Sequence, residues 1–255
     1  TPWSMNTTPR GRAALEDVGL DSDACPTGAA FRERYLVPLG QKLQVREGTT
    51  VRSISRPWKR KGDELGNPSR LQAPFQLLID GETETVERAD AVIDCTGVFG
   101  DPAPLGSGGA PVPGERNNPQ VSYGPIPVDE LAGQRVLLVG DGASAVTVLR
   151  ELLAREARIT WITPNPTVPG FVSPPDDPLP QRRELVRIAK DALGTVQHLP
   201  GASIARLDGG QVTLEDGSSF EVDRIIACTG FRPDHQLSRE LQVHLCWGSE
   251  GPMKL

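Results

Sequence analysis

Residues 140–145 read Gly-Asp-Gly-Ala-Ser-Ala, the spacing of a Gly-x-Gly-x-x-Ala fingerprint. Each small residue in such a turn has its own task. Gly140 permits the tight bend from strand to helix, Gly142 lets the backbone approach a pyrophosphate, and Ala145 lets helix and strand pack closely. Ala143 and Ser144 then open a helix whose free N–H groups and positive dipole end favour phosphate. The apolar run Val136–Val139 before the turn and the amphipathic pattern Ala143–Arg155 after it are the context this reading requires. A glycine turn without a ligand is the alternative. Asp141 runs against the pattern, because a carboxylate inside an anion-binding turn must point away from the phosphate.

A nucleotide with a free adenosine ribose usually meets an acidic residue roughly 20 positions after the first glycine. The window Thr160-Trp-Ile-Thr-Pro-Asn165 holds neither an acid nor an Arg. Arg182 and Arg183, beyond a Pro-rich stretch, could reach a 2′-phosphate, which favours NADP slightly over NAD; otherwise they are solvated residues at a helix start. Trp161 either stacks near an adenine or packs in the core. Arg232 either faces a phosphate or forms a surface salt bridge. His198, His235 and His244 are widely separated and have no metal-ligand spacing, so no metal site is expected. No acid–base triad is visible, and the catalytic residues are unassigned. Cys25, Cys95, Cys228 and Cys246 form no Cys-x-x-Cys and read as reduced thiols.

An eight-residue phrase brackets the fingerprint. Asp90-Ala-Val-Ile-Asp-Cys-Thr-Gly97 and Asp223-Arg-Ile-Ile-Ala-Cys-Thr-Gly230 each read as a short buried strand ending in a small-residue turn. Thr96 and Thr229 could hydrogen-bond local backbone or a cofactor, and with Gly97 and Gly230 they are candidate cofactor contacts. Around them, apolar spacing predicts a helix over 29–43 that Pro38 kinks or ends near Val37, strand character over 45–54, and an exposed charged loop over 59–70. Asp80-Gly81 predicts a type I′ hairpin between 75–79 and 83–86. Residues 1–27 read as irregular, and 100–127, dense in Gly and Pro, as a linker. Further elements are a strand over 159–162, a long Pro-rich loop over 164–180, a helix over 181–193, a strand over 195–199, a meander over 203–222 and a last strand over 225–228. Strand–helix alternation around a glycine turn implies a parallel sheet with helices on its faces.

In this order the motifs resemble the two-dinucleotide-binding-domain flavoproteins, the broad group of flavin-containing monooxygenases and pyridine nucleotide oxidoreductases. Ala91–Gly97 is similar to the turn leaving the flavin domain, Gly140–Ala145 to the nicotinamide site, and Ile226-Ala-Cys-Thr-Gly-Phe-Arg-Pro233 to the returning turn. Residues 105–115 are similar to the linker of bacterial members. The resemblance implies an α/β fold, a Rossmann-like NAD(P)-binding domain inserted into an incomplete FAD-binding domain, with β-meander additions. The implied bounds are 1–125 for the partial FAD-binding domain and linker, 126–228 for the NAD(P)-binding domain and 229–255 for the return. The implied function is NAD(P)H-dependent, FAD-containing oxidoreductase chemistry, with hydride passing from nicotinamide to flavin. An N-terminal glycine fingerprint for FAD and a C-terminal Gly-Asp motif are not found, so the chain reads as a fragment lacking the ends of the flavin domain. The monooxygenase linker signature is not found either. A flavin-free NAD(P)H-binding sensor or interaction module is the competing reading.

Bulk properties narrow the partners. A net charge of −6 offers no nucleic-acid surface. No apolar run approaches the roughly 20 residues of a membrane span, and no signal peptide is visible. A cytoplasmic enzyme acting on a small-molecule substrate or electron acceptor is expected, with a homodimer as an open alternative.

Overall fold

A computed structural model describes residues 2–15, 19–124 and 126–254. The readings made above for residues 1, 16–18, 125 and 255 lie outside these described residues. The chain divides into two compact units, one of residues 1–93 and 235–255, the other of residues 94–234.

In the first unit, residues 1–27 are not irregular throughout. Helix α1 (Trp3–Asn6) and helix α2 (Pro9–Ala14) form there, the latter with Thr8 as N-cap accepting from the Gly11 N–H and with Pro9 in the first turn. Trp3, Leu20 and Tyr35 are buried together, with Phe31 packed against them. The helix expected over 29–43 runs as α3 (Gly28–Phe31), a π-helical turn over Arg32–Leu36, and α4 (Val37–Lys42). Pro38 neither ends nor breaks it. Proline lacks an N–H and its ring clashes with the carbonyl four residues back; the widened turn, where the Val37 N–H reaches back to the Arg32 carbonyl, makes room for it.

Strands β1 (Thr50–Ser55), β2 (Phe75–Asp80) and β3 (Thr85–Ala89) form an antiparallel meander. Ile79 pairs with Thr85, so five residues lie between the paired positions. Gly81 is outside the left-handed region, and the expected two-residue turn is replaced by this longer loop. The charged segment 59–70 is not simply an exposed loop. The Arg70 guanidinium is buried and donates to the Arg60 and Asp63 carbonyls at 3.0 Å each, so the loop is folded around a cation.

The second unit has three layers. Strands β4 (Val121–Tyr123), β5 (Arg135–Val139), β6 (Arg158–Thr163) and β7 (Gln197–Pro200) belong to one parallel sheet. A last strand, β11 (Arg224–Ala227), enters between β4 and β5, so the order is β4-β11-β5-β6-β7. Helices α5 (Ala143–Leu153) and α6 (Pro180–Ala192) cover one face; the meander β8 (Ile204–Asp208), β9 (Gln211–Leu214) and β10 (Ser219–Glu221) covers the other. Side chains alternate between the two. Val136, Leu138, Trp161 and Ile226 join Ala145, Leu149, Leu152 and Ala189 in the helix-side core. Leu137, Val139, Ile162 and Ile225 join Ile204, Leu207 and Val212 on the meander side.

Two expectations fail here. Residues 91–97 form no strand among the described residues; Ile93 is 87% exposed and Cys95 is exposed. A β-phrase becomes a strand only where a neighbouring backbone receives its N–H and C=O groups, and residues 225–228 have such neighbours on both sides. The segment 100–127, read as a linker, is ordered and contains β4. The buried Glu115 carboxylate accepts from the Leu105 N–H (2.9 Å), the Val112 N–H (2.9 Å) and the Tyr123 hydroxyl (2.5 Å).

Candidate nucleotide site

The sheet order changes direction at β5: β6 and β7 continue on one side, β11 and β4 on the other. In open parallel sheets the crevice at the carboxyl ends of such neighbours is where ligands bind. Gly140 follows β5 there, and Thr229 and Gly230 follow β11. The two turns touch. Gly140 has φ 116°, and a Cβ on it would lie 2.3 Å from the Cys228 carbonyl oxygen. Only glycine fits that position. Cys228 is half-buried, and that burial pushes its thiol up to about 11.

Gly142 differs from Gly140. It is the N-cap of α5, with φ −75° and ψ 177°, and a Cβ there would meet nothing within 4 Å. Its fold therefore does not require glycine; close approach from outside does. No side chain caps α5, so the first turn presents its N–H groups to that open space. Ala143 and Ser144 are exposed, while Ala145 is fully buried against the sheet. These properties fit a pyrophosphate cradle.

Asp141 is turned onto the Pro-rich loop. Its carboxyl group occupies the space where Gly170 would carry a Cβ, and its carbonyl accepts from the Gly170 N–H at 2.9 Å. Burial raises the Asp141 carboxyl above its ordinary value, and its buried Oδ2 has no partner.

At the end of β6, Thr163 is fully buried; its hydroxyl donates to the Asn165 carbonyl at 2.7 Å and lies 2.8 Å from His198 Nε2. Burial holds His198 below its usual value. Trp161 is fully buried and offers no face for an adenine; its indole N–H donates to the Gly140 carbonyl at 2.7 Å. Sequence reasoning weighed stacking against packing and missed this hydrogen bond. The signal available was an aromatic N–H donor at an inward strand position beside the fingerprint.

Among the other candidates, Arg182 is ion-paired at 3.3 Å with Asp177, whose side chain is 1% exposed. Asp177 also accepts from the Leu179 N–H and the Ser173 hydroxyl, and the Leu179 bond, with these partners, holds its carboxyl below the usual range. Arg183 is exposed. The Thr229 hydroxyl donates to the Ala103 carbonyl at 2.5 Å, and the Gly230 carbonyl accepts from the Ala103 N–H. The Arg232 guanidinium donates to the Gly109 carbonyl at 2.9 Å, a backbone contact rather than a surface salt bridge. Thr96 and Gly97 are exposed, and Thr96 donates to the Asp94 carboxylate through its N–H and its hydroxyl. The structure therefore brings the turns at residues 140–145 and 228–230 together and places Thr96 and Gly97 in an exposed segment. None of the four cysteines is in a disulfide, and no cluster able to hold a metal occurs among the described residues.

Fold and site together define a dinucleotide-binding α/β protein. Residues 76–249 match the profile of the pyridine nucleotide-disulphide oxidoreductases. The chain belongs to this family, whose members are NAD(P)H-dependent flavoprotein oxidoreductases using FAD and a nicotinamide nucleotide. Among solved structures it is similar to the bacillithiol disulfide reductase of Bacillus cereus, with TM-score 0.67 and 18% identity over 98% of this chain and 71% of that one. A flavin-containing monooxygenase of Stenotrophomonas maltophilia gives TM-score 0.54 and 22% identity over 88% and 63%. The ornithine N-hydroxylase of Kutzneria, solved with reduced FAD, NADP+ and ornithine, gives TM-score 0.58 and 17% identity over 94% and 68%. At these identities the likeness speaks for the fold. No curated protein sequence matches the chain. Among the described residues no helix is long and apolar enough to cross a membrane.

Proposed function

We propose that the chain binds the pyrophosphate of NAD(P)H at Gly140, Gly142, Ala143, Ser144 and Ala145 and presents the nicotinamide for hydride transfer to flavin. The observation that carries this reading is the contrast between the two glycines: Gly140 is fixed by a carbonyl of its own fold, Gly142 faces open space at an uncapped helix N-terminus. When bound, the nicotinamide supplies a hydride and the flavin accepts it. The protein's part is binding and orientation. The α5 N–H groups hold the phosphates, Ala145 seats the helix on β5, and Thr229 fixes Ala103.

The functional boundaries proposed are residues 126–228 for nicotinamide-nucleotide binding and residues 1–125 and 229–255 for the flavin side, with Thr96, Gly97 and Gly230 as flavin-side contacts. NADP is preferred slightly over NAD, because the end of β6 carries no carboxylate. Arg182 is already paired to Asp177, so Arg183 is the freer contact for a 2′-phosphate. The substrate is a small molecule or electron acceptor, and the setting cytoplasmic. A flavin-free nucleotide-binding module is a second reading, favoured by the exposure of residues 94–97. Calorimetric titration with NADPH and NADH, together with the visible absorbance of the protein reconstituted with FAD, tests both. Binding of neither nucleotide refutes the first reading; nucleotide binding with no bleaching of added FAD favours the second.

A further inference from the structure

We propose that Trp161 is a positioning residue for the dinucleotide: its indole N–H holds the Gly140 peptide and so aims the fingerprint turn. The inference rests on the reading of residues 140–145 as the pyrophosphate site. Gly140 is held on three sides. Its N–H donates to the Ile162 carbonyl at 2.9 Å, its Cα faces the Cys228 carbonyl, and its own carbonyl accepts from Trp161 Nε1 at 2.7 Å. The first two contacts come from strand neighbours and fix where the residue sits. The third fixes the direction of the following peptide. A trans peptide is planar, with its C=O and N–H pointing opposite ways. Holding the Gly140 oxygen toward the indole therefore sends the Asp141 N–H the other way and sets the entry to Gly142 and α5.

The indole cannot swing away from this duty. Trp161 is fully buried, packs in the helix-side core, and has the His198 ring at 5.3 Å. His198 is itself held at Thr163. A Phe or Leu would satisfy the apolar demand of this position; Trp adds a rim N–H that donates only. Without the donor the Gly140 carbonyl loses a buried partner and its peptide is free to rotate, which degrades a site that works by preorganised N–H groups.

The test replaces Trp161 by 3-benzothienylalanine, which keeps the bicyclic shape and puts sulfur in place of the N–H, in the full chain. The expected result is an about tenfold loss of NADPH affinity, the size of one net hydrogen bond. The melting temperature should fall by only a few degrees, the cost of one stranded carbonyl, and the ligand-free amide signals of Asp141 and Gly142 should move while those of distant core residues stay. Affinity unchanged within a factor of two overturns the inference and leaves the site assignment intact. A loss of affinity that only follows a large drop in melting temperature, with shifts throughout the core, also overturns it, making Trp161 a packing residue. If the unsubstituted chain binds neither NADPH nor NADH, the pyrophosphate reading falls and this inference with it.

Discussion

Gly142→Val and Gly140→Ala are expected to separate ligand binding from folding, although they lie two residues apart. Gly142 has dihedral angles open to any residue, and its Cβ meets no atom within 4 Å. The fold cost of valine there is confined to its weaker N-cap preference, about 1 kcal/mol or less, or a fall in melting temperature of about 2–4 °C. The same side chain would stand where a pyrophosphate approaches. Losing two charge-assisted hydrogen bonds costs about 3–6 kcal/mol, which is roughly a hundredfold or more in affinity. Gly140→Ala reverses the pattern. At φ 116° a Cβ is strained by about 1–3 kcal/mol, and at 2.3 Å from the Cys228 oxygen it forces β5 and β11 apart, about 1–3 kcal/mol more. The melting temperature should fall by about 5–15 °C. Thermal melts and calorimetric titration with NADPH and NADH read both. Wild-type affinity in Gly142→Val, with the parent binding, places the nucleotide elsewhere and refutes the argument from open space.

Other consequences can be checked separately. The Arg182→Ala, Arg183→Ala double variant should lose about tenfold in preference for NADPH over NADH; a parent that prefers NADH refutes the assignment. Arg135 hydrogen bonds hold the Asp223 carboxyl at about 2, below its ordinary 3.8. This depressed carboxyl contributes stability that is complete above about pH 4 and is lost as pH falls through 2. Because both partners are about 40% exposed, solvent screening keeps the contribution small. The gap in melting temperature between wild type and Asp223→Asn should therefore narrow below pH 4, and a gap independent of pH counts against the ion pair. Glu115→Ala strands two N–H groups and the Tyr123 hydroxyl and should cost about 3 kcal/mol, read as a lower denaturant midpoint; an unchanged midpoint means the 105–115 loop is held by other contacts. Because Thr96 and Gly97 are exposed, the 255-residue chain purified in excess FAD should retain flavin well below one equivalent; tightly held stoichiometric flavin refutes that expectation.

What was legible in the sequence is what local pattern and tertiary environment agree on. The core of the second unit, from β5 through β11, follows from apolar alternation and helical spacing, because there each element is covered on the face its pattern predicts. The repeated phrase shows the limit. Asp90–Gly97 and Asp223–Gly230 share Ile93/Ile226, Cys95/Cys228 and the Thr-Gly ending, yet one is exposed and the other is a central strand. β-propensity describes fitness for a sheet; the sheet must be supplied by other residues. The reverse error hid β4, whose three residues sit in Gly- and Pro-rich surroundings and become a strand by pairing with β11. The loop around Arg70 was illegible for a related reason. A charged run reads as solvated unless one of its cations finds carbonyls, and those carbonyls belong to residues 60 and 63 of the same loop.

The candidate site divides along the same line. The glycine spacing announces the turn because the demand on each glycine is local: a positive φ at 140, an absent Cβ at 142. What orients the turn is not local. Trp161 lies 21 residues on, and its donor meets the Gly140 carbonyl only because β5 and β6 pair in the register Leu138 with Trp161. Shifting that register by one residue would turn the indole to the meander face and leave the carbonyl unpaired. The pairing is set by which side chains fill the two cores, Ile162 on one side and Trp161 on the other. Core packing thus sets the aim of a turn that touches no core ligand, and a substitution that slips β6 would silence the fingerprint without altering any of its six residues.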